Sequence, residues 1–402
     1  MSPSSASPSV PEIKAACGGV SEAAHAFRRD IHSHPELSFQ EFRTTDRIVA
    51  RLEAAGLSPV RLKGTGVCVD IGSGPVAVAL RGDIDALPVQ EETGLEFASV
   101  TEGRAHACGH DIHTSVMMGA ALALAAVDAK SPLPARVRII FQPAEERIPG
   151  GAKQVVEQGL LDDVPAVLAC HCDPRIDVGQ VGTRIGAITS AADTIRITLS
   201  GRGGHTSRPQ LTEDLVQALS FLAANVPSVL ARRIDARSGV SVVWGQIAAG
   251  SAPNQIPSRG TLAGTMRCLD VEAWEAAGDL LDMVVRQLAT PFSVDVELDH
   301  IRGVPPVINS ERETLLIEEA ARAQLGSQAV VLTPQSMGGE DFAWMTQKVS
   351  GAMFRLGTRT PGGETYDLHR GDYTPDERAL DVGIEVMTAA ALRAVAHSSA
   401  GA

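Results

Sequence analysis

Arg136-Val137-Arg138-Ile139-Ile140-Phe141-Gln142-Pro143-Ala144-Glu145-Glu146 reads as a short buried strand with chemistry at its end. The first six residues are rich in β-branched and aromatic side chains. Pro143 has no amide hydrogen to give a ladder, so it stops the strand and leaves two acids just past its C-terminal end. The pattern recurs. Val164–Cys170 is a second such strand, with His171 directly after it, and Val76–Leu80 is a third, followed by Arg81-Gly82-Asp83-Ile84-Asp85. In open parallel sheets, ligand sites lie outside the carboxyl ends of the strands. The recurrence predicts an α/β fold with a mostly parallel central sheet and a polar site along one rim.

His106-Ala107-Cys108-Gly109-His110-Asp111-Ile112-His113 supplies candidates for that site. A lone Cys or His is ordinarily a buried thiol or a satisfied core histidine. Here three histidines, a thiol and a carboxylate crowd into eight positions. Cys and His suit zinc or a similar divalent ion. Gly109 lets the chain bend so that Cys108 and His110 face one centre. Adjacent Glu145 and Glu146 read either as a solvated helix start or as a division of labour, one carboxylate on a metal and the other handling a water proton. His369, in Tyr366-Asp367-Leu368-His369-Arg370, reads alone as a loop residue. Glu340 and Asp341 are expected in the first turn of a helix, where a structural role is as good a reading as a functional one.

The middle of the chain reads as a separate unit. Ile195, Ile197 and Leu199 alternate as in a strand, and Thr212–Arg233 has helical spacing. Gly239–Ala248 and Arg259–Cys268 read as strands, Val271–Leu288 as a helix and Phe292–Ile301 as a strand. This order predicts a ferredoxin-like α+β unit, residues 188–302, inserted in a catalytic domain made of residues 21–187 and 303–402. The C-terminal segment Asp376–Ala396 is expected to be an amphipathic helix. Residues 1–20, opening on Ser and Pro, are expected to be a disordered tail and neither signal peptide nor anchor.

The 402 residues, 44% hydrophobic, suffice for two cores. A net charge of −13 argues against nucleic-acid or anionic-membrane partners. No run is expected to reach the length of a membrane span. The six cysteines have no spaced secretory pattern, which favours a reducing cytoplasm.

Seven motifs in order carry a resemblance: His-Ser-His-Pro-Glu-Leu-Ser (32–38), Arg-Gly-Asp-Ile-Asp-Ala-Leu-Pro (81–88), the 106–113 cluster, Phe-Gln-Pro-Ala-Glu-Glu (141–146), Gly-Gly-His-Thr-Ser (203–207), Met-Gly-Gly-Glu-Asp-Phe (337–342) and Leu-His (368–369). The chain resembles the di-metal amidohydrolases that include hippurate hydrolase, aminoacylases and auxin-conjugate hydrolases, within a superfamily of metal-dependent carboxypeptidases and dipeptidases. The resemblance makes Cys108, His110, Glu146, His171 and His369 ligands of two divalent transition-metal ions (zinc, manganese or cobalt), with either His110 or Cys108 between the metals. It makes Glu145 the general base and acid, and His205 the donor to the oxyanion, often across a dimer interface. Asp83 and Asp85 match a stretch that in related dipeptidases carries a metal-binding histidine. That histidine is absent here, so they are assigned, with His113, to orienting the ligands.

The implied reaction is hydrolysis of an N-acyl amino acid to a carboxylic acid and an amino acid, in a homodimer joined through the inserted domain. Arg267 and Asn254 are candidates for holding the substrate carboxylate; a surface strand charge is an equal reading of Arg267. Hydrolysis of short peptides and a non-catalytic metal-binding scaffold are the alternatives, and Glu145 argues against the scaffold. Where relatives run into glycines after the second glutamate, this chain has Arg147-Ile148-Pro149-Gly150-Gly151, so Arg147 is a candidate for shaping substrate choice. Cys170 and Cys172 flank His171 and are expected to point away from it.

Overall fold

The computed structural model describes residues 8–400. The chain divides into two compact units. Unit 1 runs to Ile188 and takes in Ile308–Pro334 and Asp341 onward; unit 2 is Thr189–Val307 with Gln335–Glu340. The second unit thus extends past the expected return at 303 and draws in a later segment.

Unit 1 is built on an eight-stranded sheet in the order Val60–Arg61, Val67–Ile71, Arg136–Gln142, Val76–Asp83, Ala166–Asp177, Ser350–Arg359, Val181–Thr183, Val330–Leu332. Its middle four strands, Arg136–Gln142 through Ser350–Arg359, run parallel. Such strands are covered on both faces and read as continuous apolar runs. Every residue of Val76–Asp83 is buried. Two expected strand ends fall too early. Asp83 closes its strand rather than following it, and His171 lies inside Ala166–Asp177, which is 12 residues long. The polar run Cys172–Asp177 hid this continuation, because ladder pairing with Ser350–Arg359 overrides local propensity.

Helix His110–Lys130 is buried from His110 through Leu124 and forms the middle of the core. Gly109 caps it at φ 86°, and a Cβ there would come within 2.8 Å of Cys172 Sγ. The C-terminal helix Arg378–Ala400 packs on it, with Ile384 against the bare backbone of Gly119.

The expected disordered tail is corrected for residues 8–20. Val10–Gly18 is a helix that buries Ile13 and Cys17, four apart on one face, against the two helices just named. Its start is fixed by Glu12, which accepts from the Ser9 amide (2.7 Å). Residues 1–7 lie outside the described residues. The expectation on membrane length is also corrected. Helices His110–Lys130 and Leu215–Arg233 are long and apolar enough, by length and composition, to span a bilayer. The first spends its apolar surface inside the core, and the second packs Leu215, Leu219, Leu222, Val226 and Leu230 into the core of unit 2.

Unit 2 runs strand Ala191–Ser200, helix Leu215–Arg233, strands Ser241–Ala249 and Arg259–Cys268, helix Val271–Ala289, strand Asp295–Val304. The strands form an antiparallel sheet in the order Ser241–Ala249, Arg259–Cys268, Ala191–Ser200, Asp295–Val304, a ferredoxin-like arrangement.

Candidate metal centre

In unit 1 the ligand atoms of Cys108, His110 and His171 lie within 4.8 Å of one another, as do those of Cys108, Glu146 and His369, and those of His110, Glu145 and Glu146. Cys108 is common to the first two groups. Its Sγ is 3.6 Å from His171 Nε2, and His369 Nε2 is 3.3 Å from Glu146 Oε1. His110 Nε2 stands 3.8 Å from both Glu145 Oε2 and Glu146 Oε1.

The donors come from several elements. Cys108 precedes the Gly109 turn, His110 opens the helix, Glu145 and Glu146 follow Pro143, and His171 lies on the longest strand of the sheet. His369 stands at φ 64°, and its amide donates to the Ala107 carbonyl (2.9 Å), which ties its loop to Cys108.

The ring orientations follow from hydrogen bonds. His110 Nδ1 meets the Asp85 carbonyl (3.0 Å) and His171 Nδ1 the Cys172 carbonyl (2.8 Å). A carbonyl only accepts, so both rings carry the Nδ1 proton and turn Nε2 inward. His113 differs. Its Nε2 accepts from the Cys172 amide (2.8 Å), and its Nδ1 donates to Asp83 (2.7 Å). Both nitrogens are engaged, which leaves no lone pair for a metal.

Asp85 organises the rest. One of its oxygens accepts from the Glu145 amide (3.0 Å) and lies 3.3 Å from His110 Nδ1; the other accepts from the Glu146 amide (3.1 Å) and from Ser38 Oγ (2.6 Å). Burial opposes its charge, but these bonds hold its carboxyl below the usual range. Asp83 joins His113 to Arg81 (2.8 Å), and Arg81 reaches Asp341 (2.8 Å). Asp341 sits just ahead of helix Ala343–Lys348 rather than in its first turn, and also holds Gln142 and the Ala152 amide. Ser38 and Arg81 were not singled out in the sequence, although Arg81 and Asp83 share a strand face by period 2. Nothing local in the sequence marks Asp341 as the partner of Arg81.

Within this site His110 Nε2 and Glu146 Oε1 are buried and make no hydrogen bond of good geometry among the described residues, the nearest approach to the latter being His369 Nε2 at 3.3 Å. Buried polar atoms are otherwise nearly always paired, and a cation satisfies both. Burial, and then the charge of Glu146, push the Cys108 thiol well above its usual range; a bound cation would reverse that. Burial, then the Arg355 charge, hold His171 well below its usual range, in the neutral form that ligates. The thiol, imidazole and carboxylate set fits a transition metal. Neither Cys170 nor Cys172 joins these groups among the described residues.

In unit 2, His205 is exposed in a two-residue ladder opposite Gln255, and the Thr206 amide donates to the Asn254 carbonyl (3.2 Å). The Ser207 amide donates to His205 Nδ1 (3.1 Å), so the proton sits on Nε2. Arg267 lies on the central strand pair, opposite Ser241 and Ala192, and is not joined to His205 or Asn254 by any bond among the described residues.

Residues 79–393 match the model of Peptidase family M20/M25/M40. The chain is 46% identical over 365 residues to a putative glutamate–cysteine ligase of Rhodococcus jostii, covering 90% of this chain but only 46% of that protein. It is 38% identical to an N-acetylcysteine deacetylase of Bacillus subtilis, covering 88% of this chain and 92% of that one. The crystal structure of a dinuclear metal-binding peptidase from Bacillus subtilis superposes with a TM-score of 0.81 at 34% identity, over 94% of this chain and 99% of that one. The chain therefore belongs to Peptidase family M20/M25/M40 and is a metal-dependent amidohydrolase.

Proposed function

We propose that this protein hydrolyses the amide bond of N-acyl amino acids to a carboxylic acid and a free amino acid. The observation that carries the reading is the placement of Glu145. Its carboxylate stands 3.8 Å from His110 Nε2, in one group with Glu146, on a backbone that Asp85 holds at two successive amides. Two divalent transition-metal ions (zinc, manganese or cobalt) held by Cys108, His110, Glu146, His171 and His369 would supply Lewis acidity to the amide carbonyl and to water.

Glu145 takes the proton of the attacking water and returns it to the amine, which leaves poorly unless protonated. Asp83, Asp85 and His113 position the ligands. His205, protonated on Nε2, donates to the developing oxyanion. Asn254 and Arg267 hold the substrate carboxylate. The protein works in the cytoplasm as a homodimer joined through residues 188–302, whose exposed strand edge suits two-fold pairing. The relative named for N-acetylcysteine deacetylation supports the N-acyl class. The test is turnover of N-acetyl amino acids against free dipeptides on metal-reconstituted protein. Faster cleavage of the dipeptides would replace this reading with that of a dipeptidase.

A further inference from the structure

Arg147 follows directly on Glu146, so its Cα lies about 3.8 Å from that of a proposed ligand. Several arginines of unit 1 rest on carboxylates, such as Arg28 on Asp111, Arg81 on Asp83 and Asp341, and Arg136 and Arg138 on Asp70, while Arg184 rests on the Thr333 carbonyl. Arg147 has no acidic partner among the described residues and is exposed. Its guanidinium lies over Phe39 instead, 6.0 Å from the ring centroid.

The backbone on both sides of this pair is tied down. Phe39 stands at φ 63°, a conformation bulky residues avoid. Its neighbour Ser38 donates to Asp85, the carboxylate that also seats Glu145 and Glu146. On the other side, the Gly150 amide donates to the Arg147 carbonyl (2.7 Å) and the Trp344 indole to the Pro149 carbonyl (2.8 Å). Asp341 takes the Ala152 amide (2.9 Å).

An exposed guanidinium one residue from a proposed ligand, with no carboxylate on it among the described residues, is open to an anionic group of a substrate, which accepts the two parallel bonds a guanidinium offers. We infer that Arg147, stacked on Phe39, is a specificity residue selecting N-acyl amino acids that carry a further carboxylate besides the α-carboxylate. That carboxylate sits on the acyl group or on the amino-acid side chain. The inference rests on the amidohydrolase reading above.

The test uses matched acids and amides on metal-reconstituted protein. N-succinyl-leucine is compared with N-succinamoyl-leucine for the acyl end, and N-acetylglutamate with N-acetylglutamine for the side-chain end. For one pair, the wild type is expected to favour the acid in kcat/KM by about tenfold or more. Arg147→Gln lowers that acid-to-amide ratio by about tenfold, and Arg147→Lys keeps part of it, since a point charge remains without the fork. The pair that responds identifies the end. As a second readout, Glu145→Gln protein is titrated calorimetrically with the same compounds, and adding Arg147→Gln should weaken the acid ligand by a similar factor. Equal ratios in wild type and Arg147→Gln for both pairs, with equal calorimetric affinities, would overturn the inference and leave the hydrolase reading standing. If the wild type cleaves none of these compounds and no neutral N-acetyl amino acid, the hydrolase reading fails and takes this one with it.

Discussion

Replacing Asp85 by Asn removes one charge and almost no volume from a side chain that touches no substrate. The wild-type carboxylate meets four groups: two backbone amides, the Ser38 hydroxyl and the His110 ring. An Asn oxygen can serve only one side. If it keeps the Glu145 amide and His110, its NH2 faces the Glu146 amide, two donors pointed at each other; Ser38 escapes by rotating its hydroxyl. At least one buried amide bond to a charged acceptor is lost, which costs about 1–3 kcal/mol. The Glu146 backbone loses its anchor at the same time, while the His110 ring keeps its bond to the Asp85 carbonyl. Loss of such an outer partner typically weakens metal binding by about 10–100-fold. The assay is chelator competition on purified protein, with the unfolding midpoint and kcat/KM alongside. A variant that binds metal within about twofold of wild type and turns over normally would refute the assignment of Asp85 as the organiser of the site.

Glu145→Gln should retain bound metal and lose turnover by roughly a thousandfold or more; near-normal hydrolysis with confirmed metal content would sink Glu145 as the base. Chelation should inactivate the protein, and zinc, manganese or cobalt should restore it at about two ions per chain by elemental analysis. His32 lies buried between Asp111 (2.9 Å) and Glu91 (3.1 Å); burial opposes its charge, but these acids push its pKa up to about 9. A raised histidine gives stability that is fully present below its unfolded pKa of about 6.5 and lost as pH rises through the folded value. The stability gap between wild type and His32→Gln should therefore be on the order of 3 kcal/mol near pH 6 and shrink towards pH 10 in denaturant titrations. Mixing Glu145→Gln with His205→Ala chains should restore activity if His205 serves a partner's site; no recovery after verified subunit exchange would place it in its own chain or outside the reaction.

The site was more legible in the sequence than the chain's edges were. Donor residues at strand ends stand out because folding alone seldom needs Cys, His and paired acids there. The extent of the strand around His171 was not legible, since Cys172–Asp177 is polar and its ladder partner lies far along the chain. The helix at Val10–Gly18 was hidden by its Ser- and Pro-rich approach, although the spacing of Ile13 and Cys17 was there to be read. Asp341 shows the limit most clearly. Its partners Arg81 and Gln142 come from strands that precede it by 260 and 199 residues, and no local pattern encodes a pairing of that range.

The strand Ser350–Arg359 lies between Ala166–Asp177 and Val181–Thr183, in the interior of the sheet. On the ribosome it emerges only after all of unit 2. Until then Ala166–Asp177 presents an open, apolar rim, the kind of surface that pairs with another chain. The sheet closes through a contact of very long sequence separation, which slows folding. Unit 2, whose strands and helices are contiguous, is free to form first. Because this strand is synthesised last of the sheet, that rim stays open until nearly the whole chain has been made.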